Sequence, residues 1–228
     1  MNPRALSPDA LSWCFRPPAS DCVNVSRETP PPPGAVEAFS HCLPTIQKYV
    51  HALATAGVER GLIGPREVPR LWDRHIMNSV VVVPRLPQGS TVADVGTGAG
   101  LPGLVWAIAR PDVSVTLIEP LLRRTAFLEE MTSELGLDNV RVVRGRADEV
   151  HEEFDVVTAR AVAALEKLGR WCLPLVRKGG VLLALKGQTA QQEVDAATNT
   201  LLGLGATTIV VTKYGDLEVP TTVVEVTK

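Results

Sequence analysis

The chain has 228 residues, enough for one domain with an extension or for two very small ones. Hydrophobic residues make up 45% and charged residues 21%, close to globular averages, and no window approaches the roughly 18 consecutive apolar residues of a membrane-crossing helix. Lys+Arg 23 against Asp+Glu 25 gives a formal charge of −2, which excludes a protein basic over its whole surface but leaves room for one local basic face.

Cysteines stand at 14, 22, 42 and 172 without a C-x-x-C pair, which argues against a disulfide scaffold and for a reducing, cytoplasmic setting. His41 beside Cys42 is the nearest approach to a metal pair, but adjacent residues on a helix point different ways and no four-ligand set has usable spacing. No metal is therefore expected. Arg4 is followed by Ser7, Pro8 and Asp9 rather than by an apolar stretch, so the first residues do not read as a signal peptide.

Residues 1–33 carry Pro3, Pro8, Pro17, Pro18 and the run Pro30–Pro33, a composition that predicts an extended, poorly ordered arm, with Trp13 and Phe15 as its candidate anchors. From 34 to 88 a helical extension is expected. Val36, Phe39, Leu43, Ile46, Val50 and Leu53 recur at helical spacing, with Pro44 predicted to kink or split the helix. A second short helix places Leu71, Trp72, His75, Ile76 and Ser79 on one side.

Residues 89–228 alternate strand and helix. Strands are predicted at Thr91–Asp94, Val113–Glu119, Val140–Val143, Phe154–Thr158, Val181–Leu185, Thr207–Val211 and Thr222–Val226. Helices are predicted at Pro102–Ala109, at about 121–135 closed by Gly136, at about 165–176 ended by Gly179-Gly180, and at about 192–204. The expected fold is α/β, a Rossmann-like, mostly parallel sheet covered by helices, with the last two strands as an antiparallel edge hairpin.

The first strand runs into Asp94-Val95-Gly96-Thr97-Gly98-Ala99-Gly100-Leu101-Pro102-Gly103. Glycines let backbone approach a ligand closely, and the following helix offers free N–H groups. Gly98 to Gly103 formally fits the dinucleotide pattern G-x-G-x-x-G, but that register starts four residues beyond Asp94 and encloses Pro102. The register abutting the strand is Gly96-x-Gly98-x-Gly100. Glu119 ends the second strand, placed to accept ribose hydroxyls, and Ala147-Asp148 follows the third, placed to bond an adenine edge. Glycine loop, ribose acid and adenine acid in that order describe an S-adenosylmethionine site of the class I methyltransferase kind.

The string Asp94–Gly103 resembles the glycine motif of the bacterial 16S rRNA guanine-N7 methyltransferase G family, also called glucose-inhibited division protein B. Leu71–Ser79 resembles its Arg-His segment, Glu119–Arg124 with Phe127-Leu128 its second-strand acid and basic helix start, Thr158–Ala163 its Ser-Arg-Ala segment, and Ala184–Gly187 its Leu-Lys-Gly strand end. The resemblance spans about residues 48 to 190. It implies S-adenosylmethionine-dependent methylation of N7 of a guanine in the decoding region of 16S rRNA, with the small ribosomal subunit as partner, no membrane and a monomeric enzyme. Carried over, Gly96 and Leu101 match contacts to the cofactor, Ala147 and Asp148 contacts to its adenine, and Arg160 a contact near the reacting centre. Arg146, Arg160 and Lys186 match cations lining the cleft. Two departures stand out: residues 216–221 lack the arginine the family often carries there, and residues 1–33 match nothing in it.

Guanine N7 has a lone pair and no proton, so its methylation needs no general base and rests on proximity and electrostatics. The chain agrees by omission, having no Asn/Asp-Pro-Pro-Tyr/Phe string for an exocyclic amine, and Cys172 sits in a helix rather than in a nucleophile's loop. An arginine forked onto O6 and N7 would block the reacting atom, so Arg160 or Arg146 is expected to grip O6 or a phosphate. Lys186 fits a phosphate or O6 role, or is a snorkelling strand-end lysine. Arg123 and Arg124 bind phosphate or are solvated, and His75 faces RNA or is a partnered core histidine. Arg141, Arg144 and Arg170 join the expected basic rim. The competing readings are a methyltransferase of this fold with another substrate, a non-catalytic S-adenosylmethionine-binding protein and, more distantly, an NAD dehydrogenase.

Overall fold

A computed structural model of the protein describes residues 29–216 and 219–228, so the expectations for Trp13, Phe15 and the rest of 1–28 lie outside the described residues. The helical extension comprises α1 (Pro33–Ala38), α2 (Leu43–Ala54), α3 (Ala56–Glu59), a 3-10 turn at Pro65–Arg70, a π-helical turn at Leu71–Met77 and α4 (Asn78–Val80). β1 (Thr91–Val95), α5 (Gly103–Ala109), β2 (Ser114–Glu119), α6 (Leu122–Glu134), β3 (Val140–Arg144) and β4 (Phe154–Arg160) follow. Then come α7 (Leu165–Cys172), β5 (Val176–Lys186), α8 (Ala190–Gly203), β6 (Thr208–Tyr214) and β7 (Thr221–Thr227).

The strands form one seven-stranded sheet in the order β3-β2-β1-β4-β5-β7-β6. Strands β1 to β5 run parallel, and β7 pairs antiparallel with both β5 and β6. The antiparallel edge is therefore present as predicted, with the last strand inserted inside β6. Alternate residues of each central strand feed opposite faces, as a pleated strand requires. Val92, Val156 and Leu183 join the helical extension, α5 and α6, while Ala93, Val157 and Leu182 pack with α7 and α8. Strands buried on both faces read as continuous apolar runs, which is why they were legible.

The stripe from Val36 to Leu53 is split into two helices, one of the two outcomes expected of Pro44. The chain turns between α1 and α2, Pro44 lies in the first turn of α2, where its missing N–H is harmless, and Val36 is exposed. The helix expected to reach Val176 stops at Cys172, followed by a 3-10 turn at Leu173–Leu175 containing Pro174. Gly179 and Gly180 do not end a helix but lie inside β5, where the register against β4 shifts. A Cβ at Gly180 would stand 2.8 Å from the Asp155 carbonyl oxygen, so only glycine permits that approach.

The extension bears directly on the loop after β1. Tyr49 of α2 is fully buried and its hydroxyl donates to the Ala99 carbonyl at 2.8 Å. Trp106 of α5 donates to the Ser79 carbonyl at 2.8 Å, tying the π-helical turn and α4 to the sheet. Tyr49→Phe leaves a buried carbonyl without its partner and is expected to cost about 1–3 kcal/mol of stability, checked by denaturant unfolding.

Candidate active site

In an open parallel sheet, ligands collect beyond the carboxyl ends of the strands, where the strand order reverses. Here that point lies between β1 and β4. Asp94 is fully buried near the end of β1 and accepts from Thr97 Oγ1 at 2.6 Å and from the Gly103 N–H at 2.8 Å, closing the loop onto the start of α5. Burial pushes its carboxyl up to about 6 against the lowering effect of those two hydrogen bonds. Gly96 and Gly98 have φ of 67° and 63°, a conformation that side chains resist. Glu119 is 1% exposed and accepts from the N–H groups of Gly98 and Leu121, each at 3.1 Å. Arg124 Nη1 reaches it at 3.4 Å. The acid expected to accept ribose hydroxyls therefore also braces the loop, with two of these contacts on Oε2 and one on Oε1.

A cavity of about 630 Å³ opens there. Of the predicted residues, Gly96, Gly98, Leu101, Glu119, Arg146, Ala147, Asp148 and Arg160 line it. Gly100 does not. Its role is steric, because a Cβ there would stand 2.4 Å from Leu104 Cδ1 and 2.9 Å from the Tyr49 hydroxyl. Arg146 and Asp148 sit at the mouth, with Nε and Oδ1 3.3 Å apart. Leu62, Ile63 and Trp171 also line the cavity and were missed. Trp171, one residue before the buried Cys172, had a detectable position on its helix. Leu62 and Ile63, in the turn-rich stretch, gave no signal.

A second cavity of about 920 Å³ shares His75, Arg160, Ala161 and Val162 with the first. Ala161 has φ 54°, and such a backbone outlier in a non-glycine residue is typical of ligand sites. Lys186 lines this second cavity, not the first, and its Nζ donates to the Ala163 carbonyl at 2.7 Å and to Glu193 at 2.8 Å. Arg160 Nη2 donates to His75 Nδ1, whereas its Nη1 is buried with no acceptor among the described residues. His75 is buried and partnered on both ring nitrogens, as the core-histidine reading has it, and it lines both cavities.

The basic rim is narrower than expected. Arg141 and Arg170 line neither cavity and bond Glu152 and Glu166, and Arg144 and Arg123 also stay outside, whereas Arg124 lines the first. Burial pushes the Cys172 thiol up to about 12, which removes it as a thiolate nucleophile. Among the described residues, no group of three or more His, Cys, Asp or Glu is arranged to hold a metal ion.

The parallel sheet with its reversed edge, and the glycine loop and acids gathered at the carboxyl ends of β1 to β3, define a class I methyltransferase fold. Solved structures agree at the level of fold. A methyltransferase from Pyrococcus furiosus superposes with a TM-score of 0.53 at 15% identity, covering 66% of this chain and 81% of that one. M. jannaschii TYW2, solved in complex with AdoMet, gives 0.55 at 17% identity over 68% of this chain and 76% of that one. The family model described as rRNA small subunit methyltransferase G matches residues 43–218, and the chain belongs to that family. The ribosomal RNA small subunit methyltransferase G of Thermobifida fusca is 61% identical over 173 residues, 75% of this chain and 73% of the relative. That of Salinispora tropica is 53% identical over 214 residues, 88% of each chain.

Proposed function

We propose that this chain transfers a methyl group from S-adenosylmethionine to N7 of a guanine in the decoding region of 16S rRNA. The observation that carries the reading is the shared wall at Arg160–Val162, which joins a nucleoside-sized cavity to a second one whose lining includes Arg74, Lys186 and Glu193. The first fits the donor by its own features: a glycine loop that leaves room for close approach, a buried acid at Glu119 and a second acid at Asp148. Gly96, Gly98 and Leu101 would hold the methionine part, Glu119 the ribose, and Ala147 and Asp148 the adenine. The donor supplies an electrophilic methyl on a cationic sulfur. The second cavity takes the purine. Its N7 needs no base, so the chain's part is to orient the ring and offset charge. Arg160 grips O6, and Arg146 and Lys186 meet phosphate or O6 at the rim.

Asp148→Ala is expected to weaken donor binding about tenfold, the loss of one exposed charge-assisted hydrogen bond, while transfer at saturating donor stays near normal; calorimetry beside single-turnover rates checks it. Binding to RNA is expected to fall steeply with salt, because Lys and Arg on phosphate release counterions. The chain is read as a cytoplasmic monomer that uses no metal, consistent with a ribosomal substrate. Labelled donor incubated with 16S rRNA or small subunits lacking the modification tests the reading. Label on N7 of one guanine supports it, and label on another atom, or none, refutes it.

A further inference from the structure

We propose that His75, held by Glu67, is a positioning residue that aims Arg160 at the purine's O6 so that N7 stays open to the donor. The inference rests on the reading of guanine N7 methylation given above. Glu67, on the 3-10 turn before the π-helical turn, brings Oε2 to 3.0 Å from His75 Nε2 while its Oε1 accepts from Arg74 at 3.2 Å. An ionised carboxylate can only accept, so it selects the tautomer with the proton on Nε2. Nδ1 is then a bare lone pair, the one state of that atom able to accept from Arg160 Nη2. Burial, and next the positive charge of Arg160, lower His75 to about 4, so the ring is neutral near pH 7. The charged groups facing it are Glu67 from the 3-10 turn, Arg74 from its own turn and Arg160 from β4, which itself faces Asp94 of β1 and Tyr49 of α2.

A guanidinium is a rigid plane, so fixing one arm fixes the direction of the other. With Nη2 committed to His75, the arm left without an acceptor among the described residues is Nη1, on a side chain that lines both cavities. A free arginine fork would take O6 and N7 of guanine together and cover the nucleophile. The tether takes one of the five N–H donors and fixes the plane of the guanidinium, and in that orientation Nη1 is the arm assigned to O6. His75 acts through Arg160 and touches no reacting atom.

The test compares His75→Asn, whose side-chain oxygen falls near the place of Nδ1, with His75→Gln, which reaches only toward Nε2, and His75→Phe, which has neither. Single-turnover transfer at saturating donor is expected to fall about 100-fold in the Gln and Phe variants and less than about tenfold in the Asn variant. Donor affinity by calorimetry is expected to stay within about threefold in all three. Equal loss in the Asn and Phe variants, or loss confined to donor affinity and melting temperature, would overturn the positioning role. Nitrogen-15 NMR of the histidines in the unaltered protein, without RNA, is expected to place the His75 proton on Nε2 at pH 7; a proton on Nδ1 overturns the inference. Absence of RNA methylation by the unaltered protein defeats the transfer reading instead, and the NMR result, obtained without RNA, tells the two failures apart.

Discussion

Replacing Arg160 by alanine is expected to slow methyl transfer about a thousandfold at saturating donor. Arg160 ends β4, and the strand fixes its Cα while His75 fixes one arm of its guanidinium. Its other arm is buried without a partner among the described residues, a costly state unless a ligand atom completes it. Removing one preorganised donor from a low-dielectric site typically costs between about 100-fold and 1000-fold in rate, and here the charge goes as well. The proposed nucleoside contacts, Glu119 at the end of β2 and Asp148 just after β3, lie on other segments, so donor affinity should change far less than rate. Rapid-quench transfer assays beside calorimetry would separate the two; a loss of donor affinity with the rate at saturating donor unchanged would show that Arg160 serves donor binding alone.

Gly103→Ala is expected to destabilise the protein by about 2–3 kcal/mol, or about 4–10 °C in melting temperature, and to weaken donor binding with it. A Cβ at Gly103 would stand 2.4 Å from Leu117 Cδ2, 2.8 Å from Asp94 Oδ2 and 3.1 Å from Asp94 Cβ. Leu117 has a movable tip, but it is fully buried in β2 with little room to swing. Asp94 cannot withdraw without breaking its bonds to Thr97 and to Gly103 itself, the pair that shapes the glycine loop. The damage is thus transmitted from the start of α5 back into the loop. Thermal unfolding with and without donor would measure it; an unchanged melting temperature would mean that the close packing around Asp94 relaxes freely.

The strands at the centre of the sheet were readable because both faces are buried and most side chains are apolar, from Val92-Ala93 to Leu182-Leu183. The first cavity was readable because glycine loop, Glu119 and Asp148, which line it, follow the carboxyl ends of successive strands, a placement the alternating pattern already implies. What stayed hidden depends on long-range packing. The stripe through Val36 and Leu53 has helical spacing whether Pro44 kinks it or splits it, and the structure takes the split. Gly179-Gly180 punctuates a helix and a bulged strand equally well, and the bonds to Lys228 that settle it come from the far end of the chain. The Glu67–His75–Arg160 chain joins residues 85 positions apart, which no local pattern reports. Leu62 and Ile63 reach the cavity from a turn whose composition carries no periodic signal.

Crystals soaked with S-adenosylhomocysteine test the arrangement most directly. The ligand is expected in the smaller cavity, its ribose at Glu119 and its adenine beside Asp148, with the sulfur turned toward the wall formed by Arg160 and Val162. Density for it anywhere else, or a cavity filled by the chain's own side chains, would contradict the account.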